Sequence, residues 1–219
     1  MGNIRVVRLV AILSFIGLLQ GCAVISNVEN VAGVTEQDIN PKGTIVNEDG
    51  ILVFVGERIA VFQREYDCPS DSICMDGHYV ARYRIIEILQ GDYDGDTIDF
   101  FANDHYGMPK FSKHKAVLLY LQQHNKNIGH MKYEYNIVNP LRDGGWGICT
   151  DIYEYYDYSE IPKTQRAVKQ NLRFSRFRDG VDFGQAKCRN GYLASDAISL
   201  TLANNEGRTP AGLVLGWMD

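Results

Sequence analysis

The chain has 219 residues, 45% of them hydrophobic, and a formal net charge of −5. That length suits one sizeable domain with appendages, and the acidic balance argues against nucleic acid as a partner. Thirteen tyrosines and frequent β-branched residues point to a chain dominated by strands.

The N-terminus reads as an export signal. Arg5 and Arg8 form a positive n-region, and Leu9 to Leu19 make an apolar run of 11 residues. A membrane-spanning helix needs about 20 residues, so the run fits the h-region of a secretory signal instead. It ends in Leu19, Gln20, Gly21 and Cys22, which resembles the lipobox of the bacterial lipoprotein family. The resemblance implies a leader over 1–21, cleaved before Cys22, and acylation of Cys22 on its sulfur and its amine. Several acyl chains hold a protein stably to a bilayer where one anchors only marginally. Ala23 follows the cysteine where aspartate would signal inner-membrane retention. In that family this implies an outer-membrane lipoprotein facing the periplasm. Losing Arg5 and Arg8 leaves 20 basic residues (22 less 2) against 27 acidic, a net charge of −7. The expected partners are membrane lipid, through Cys22, and a protein of the periplasm.

Cys68, Cys74, Cys149 and Cys188 remain, an even number in an oxidising compartment. They predict two disulfides, for which three connectivities exist. Cys68 and Cys74 enclose the short, turn-rich "PSDSI", which favours a local bridge and pairs Cys149 with Cys188. Cys-x5-Cys is not a usual structural-zinc spacing. No metal or cofactor is expected.

Residues 22–48 are polar with scattered small apolar residues and read as a tether leading into a single mainly β domain over 49–219. The first strand is "GILVFVGERIAVFQREY", 50–66, with a continuous apolar half followed by alternation. Gly56 in its middle predicts a bulge or bend. "HYVARYRIIEIL", 78–89, alternates Tyr79, Ala81, Tyr83 and Ile85 against Arg82 and Arg84. "QGDYDGD" is a turn, "TIDFFA" a third strand, and "KAVLLYLQQ" a fourth, buried on both faces. This succession ("VFVGERI", "YRIIEILQGDY", "TIDFF", "AVLLYL") resembles the netrin-like module of the tissue metalloproteinase inhibitors. The resemblance implies an OB-type β-barrel over about 50–125, stapled by disulfides and accompanied by one or two helices.

Beyond 125 the pattern loosens. "NKNIGHMKYEYNIVNPLRDGGWGICT" reads as an irregular hairpin closed by "RDGGWG". "IPKTQRAVKQNLRFSRF" predicts a helix, with Pro162 in its first turn. "AISLTLA" and "AGLVLGW" read as two closing strands.

Chemistry-bearing patterns are sparse. Asp92, Asp94 and Asp96 fall at positions 1, 3 and 5 of a calcium-type loop, but Thr97 stands where its glycine belongs and Asn103 where its glutamate belongs. A turn between strands explains them. "NDHYG" around His105 is the one polar cluster with an acid–base flavour, and no nucleophile elbow or phosphate-cradling loop is present. Two binding features stand out. Lys163, Arg166, Lys169, Arg173 and Arg176 would share one face of the expected helix. Tyr153, Tyr155, Tyr156 and Tyr158 crowd "DIYEYYDYSE" among acids, as rigid amphipathic contact area. The sequence therefore points to a non-catalytic binding lipoprotein, an inhibitor, immunity-type protein or envelope assembly factor. The alternative is a cell-envelope hydrolase acting on glycan or peptide, with His105 or a carboxylate pair as its site.

Overall fold

A computed structural model describes residues 30–68, 73–152 and 166–205. Strands dominate it. Five long ones come first: β1 (Ile51–Arg64), β2 (Gly77–Gln90), β3 (Thr97–Asp104), β4 (Ala116–His124) and β5 (Asn127–Asn136). They pair in the order β1-β2-β3-β5-β4, and β4 returns to β1 to close a barrel. Every junction is antiparallel except β3 against β5, which meet in parallel at Phe101 and Gly129.

The apolar patterns explain this arrangement. Side chains alternate across a strand, so Leu52 and Phe54 of β1 point into the barrel with Tyr83, Phe100, Leu119 and Leu121. Val53 and Val55 point outward, with Leu118 and Tyr120 of β4, into a second core. Both faces of these two strands are covered, so their sequences read as unbroken apolar runs. β2 and β3 have one wet face. There Arg82 makes a two-pronged pair with Asp99 across the strands, at 2.7 and 2.8 Å. Arg84 meets Glu57 at 2.5 Å. Gly56 sits where the β1–β2 register shifts, and a Cβ there would come within 2.5 Å of the Phe54 ring.

The second core is roofed by a smaller layer. β6 (Val138–Pro140), β7 (Trp146–Ile148), β8 (Gln170–Asn171) and β11 (Asn190–Leu193) form a sheet in the order β6-β7-β11-β8. The β6–β7 turn falls at "RDGG", as its glycines predict. β9 (Phe177–Arg178) and β10 (Val181–Asp182) make a separate hairpin. Its two turn residues, Asp179 and Gly180, both have positive φ, the conformation an Asp-Gly hairpin turn demands. Helix α1 (Ala194–Asn205) follows. Its Ala194, Ala197, Ile198 and Leu200 complete the core that holds Val53, Val55, Leu118 and Tyr120. The Trp146 indole N–H donates to Glu87 of β2 at 2.7 Å, and the Arg178 guanidinium lies 4.5 Å over the same ring.

Three expectations are corrected. The helix expected over 161–177 is not formed across its described part, 166–177, where Gln170–Asn171 instead pairs with β11 and Phe174 bridges to Leu141. Leu172 is buried there, which fixes this stretch as extended packing on the layer. "AISLTLA" is helix, not strand. Ile198, Leu200 and Leu202 satisfy a period of two, but the buried Ala194, Ala197, Ile198 and Thr201 follow a helical spacing, and the second core selects that face. The tether, finally, does not reach residue 48. From Asn30 the chain is docked: Asn30 brackets the Val61 backbone, Val31 N–H donates to the Ile59 carbonyl, and Ile39 and Ile45 are buried. Of the two closing strands, "AGLVLGW" lies outside the described residues.

Candidate functional site

One end of the barrel is shaped differently from the rest. β3 finishes at Asp104, whose carboxylate accepts the Tyr106 N–H at 2.8 Å. This Asx turn reverses the chain and leaves His105 and Tyr106 on the outside. Beside it, β5 departs from its ladder. Leu119 faces Tyr135 and Leu121 faces His130, so residues 131–134 bulge out opposite Tyr120 alone. Bulges of this kind re-aim side chains next to functional sites. Tyr133 sits at the tip with φ +69°, a left-handed conformation that a bulky residue rarely adopts.

His130 closes the bulge from below. Its Nε2 donates to the Glu134 carbonyl at 2.8 Å, and its ring lies 4.5 Å from that of Phe111. The carbonyl only accepts, so Nε2 carries the proton. Burial pushes the His130 pKa down to about 4, outweighing the hydrogen bond to Glu134. It is a neutral, structural histidine at physiological pH.

Between bulge, Asx turn and helix α1 lies a cavity of about 500 Å³. Phe111, Ile137, Ile152 and Leu200 supply apolar wall, while Asp104, Lys110, Lys132 and Glu134 supply charge. Tyr106 and Tyr133 stand at its mouth, 80% and 49% exposed. Their ring centroids are 6.2 Å apart. The Lys132 ammonium bonds Asp76 at 2.6 Å and lies 5.1 Å over the Tyr133 ring. Burial pulls its pKa down, but Asp76 and Tyr133 together outweigh that and the net shift is upward. The His105 ring reaches across to the Met75 carbonyl at 3.0 Å, tying the Asx turn to the segment that follows Cys74. Burial, then the Asp104 charge, raises the Tyr79 phenol. No protein-family model, curated protein or solved structure matches the chain.

The residues singled out in sequence fare unevenly. Cys68–Cys74 and Cys149–Cys188 are bridged, with Cα atoms 5.8 and 5.6 Å apart. Cys22, Lys163, Tyr153, Tyr155, Tyr156 and Tyr158 lie outside the described residues. The basic stripe does not form a common face. Without a helix, Lys169 pairs with Asp151 at 3.6 Å, Arg173 with Asp143 at 2.5 Å and Arg176 with Asp182 at 2.6 Å. Arg166 lies in irregular chain. Asp92, Asp94 and Asp96 belong to the β2–β3 turn, and no group of three metal-ligating side chains occurs among the described residues. His105 stands at the cavity's edge, 3.7 Å from Asp76.

Sequence reasoning reached Asp104 and Tyr106 through "NDHYG" but missed Tyr133 and Lys132. "GHMKYEYN" reads as an ordinary strand, and nothing in its alternation announces a four-residue bulge.

Proposed function

We propose that the chain is an exported, membrane-anchored binding protein whose recognition surface is the bulged end of the barrel. The observation that carries this reading is an exposed aromatic pair at the cavity mouth, Tyr106 and Tyr133, beside a segment that carries two more exposed apolar residues. Ile73, Met75, Tyr106 and Tyr133 are all exposed. The Met75 carbonyl touches His105, His105 packs edge-on against Tyr106, and Tyr106 neighbours Tyr133. A water-facing cluster of this kind, on a rigid scaffold, is what protein docking sites expose. Tyrosines offer large contact area at low conformational cost.

Anchoring rests on the lipobox at Leu19–Cys22, with Ala23 favouring the outer membrane and a periplasm-facing body. The two disulfides support an oxidising compartment. With Cys22 acylated, seven residues, eight Cα steps, would separate it from the docked Asn30. They span at most about 28 Å when extended, so the barrel works close to the bilayer. Supporting the OB-type, netrin-like reading are the five-strand order β1-β2-β3-β5-β4 and its closure. In this reading the chain is not an enzyme, and a protein of the periplasm is its partner.

A photo-cross-linking residue at Tyr106 or Tyr133, in the full chain in its native envelope, tests the surface. Phe177, exposed on the far hairpin, serves as the control. A discrete protein adduct from positions 106 and 133 but not 177 is expected. Equal labelling at all three, or none, would exclude this face as the docking site.

A further inference from the structure

The first described residues show where the chain enters the barrel. Asn30 brackets the Val61 backbone, and the Val31 N–H donates to the Ile59 carbonyl. The chain therefore runs antiparallel to β1, away from Arg64. By Asn47 it has reached Ile51, at the other end of that strand. β1 ends at Arg64, facing His78, and β3 ends at Asp104, facing Gly77. Val61 lies three residues short of Arg64, so the chain enters close to the barrel end that carries Tyr106 and Tyr133. Eight Cα steps, at most about 28 Å, separate Asn30 from Cys22. With Cys22 acylated, that short span holds the bulged end nearer the anchoring bilayer than the opposite one.

The two ends also differ in chemistry. The far end exposes Glu48, Asp49, Asp92, Asp94 and Asp96 against Lys42 and Lys126. Anionic phospholipid repels such an end. The bulged end mixes both signs, with Arg64 and Lys113 near Glu65 and Asp67. It also presents the two exposed tyrosines with Ile73 and Met75. Tyrosine is enriched at membrane–water interfaces, where its apolar ring and polar hydroxyl are both satisfied.

We infer that the bulged end faces the bilayer that anchors the chain, and that its partner is a protein embedded in that bilayer, met at headgroup level. This rests on the protein-docking surface proposed for that end and on acylation of Cys22. A partner free in the periplasm would have to enter the gap between barrel and membrane, whereas an embedded one already stands there.

The acylated full chain, carrying a fluorescent residue at position 106, 133 or 126, tests the orientation. It is placed in vesicles of phosphatidylethanolamine and phosphatidylglycerol that contain a lipid with a nitroxide on its headgroup. Lys126, exposed between β4 and β5, reports the far end. Quenching at 106 and 133 should exceed that at 126 by at least about threefold. Equal quenching at all three positions, or stronger quenching at 126, would overturn the inference. In the native envelope, the protein cross-linked from 106 or 133 should be identified by peptide mass spectrometry as one with membrane-spanning segments. A captured protein without any would overturn the inference and leave the docking surface standing. Adducts with phospholipid alone would overturn the docking surface and the protein partner together, whatever the quenching shows.

Discussion

The barrel strands run from 8 to 14 residues, whereas those of the sheet that roofs it run from two to four. The difference lies in what holds each region. The barrel encloses its own interior, with Tyr83, Phe100 and Phe111 packed ring against ring at centroid distances of 5.5 to 6.1 Å. The roof brings Val138, Trp146, Ile148, Tyr192 and Ile198 to a core that it shares with the barrel. It leans on the outer faces of β1 and β4, on the Cys149–Cys188 bridge, and on the Trp146–Glu87–Arg178 cluster. The barrel's core is closed within it, whereas the roof's is completed by the barrel's outer faces and by covalent and polar ties. The candidate site occupies the seam, with walls from the barrel's irregular end and from α1.

Four changes sharpen that contrast. Phe100→Ala empties a fully buried position in the barrel interior and should cost about 3–5 kcal/mol in denaturant unfolding. The whole molecule should be lost with it. Replacing Cys149 and Cys188 together by serine frees a loop of sequence separation 39, worth about 4 kcal/mol by chain entropy. Hydrogen exchange should then show β7, β11 and α1 opening while β1–β5 stay protected. If both regions lost protection together, the barrel would not be autonomous.

The third change concerns acid. The His130 pKa falls from an ordinary 6.5 to about 4 in the fold. Below pH 6.5 the unfolded chain takes up a proton that the folded chain refuses, so stability declines as pH drops towards 4. The full loss is about 3 kcal/mol. His130→Gln retains a donor for the Glu134 carbonyl but does not titrate. Melting curves across this window should therefore slope less steeply for the variant; parallel slopes would show that His130 is not the group responsible. The smallest effect is expected at Arg173. Its pair with Asp143 is more than two-thirds exposed on both sides, and Arg173→Ala should shift stability by less than about 0.5 kcal/mol.

The same contrast governs what the sequence reveals. β1 to β4 are legible because one rule governs each stretch: alternation where one face is wet, and an apolar run where both are covered. Ile51–Val55 and Ala116–Leu121 are the clearest cases. In the roof, local rules compete. Residues 166–177 carry a helical spacing of basic side chains, yet each of Lys169, Arg173 and Arg176 finds a different acid, and Leu172 anchors the stretch as extended chain. "AISLTLA" fits two periods at once, and a surface far away in sequence decides between them. At the site, Asp104 and Tyr106 are visible as neighbours in "NDHYG". Tyr133 reaches them through a backbone conformation that no residue type announces.

The proposed placement of the binding end near a bilayer depends on acylation of Cys22, and intact mass spectrometry of the native protein measures that directly. Lipid anchoring requires a chain that begins at Cys22, carries the mass of its acyl groups, and is four hydrogens lighter for two disulfides. A chain that keeps Met1, without added lipid and with four free thiols, would contradict it.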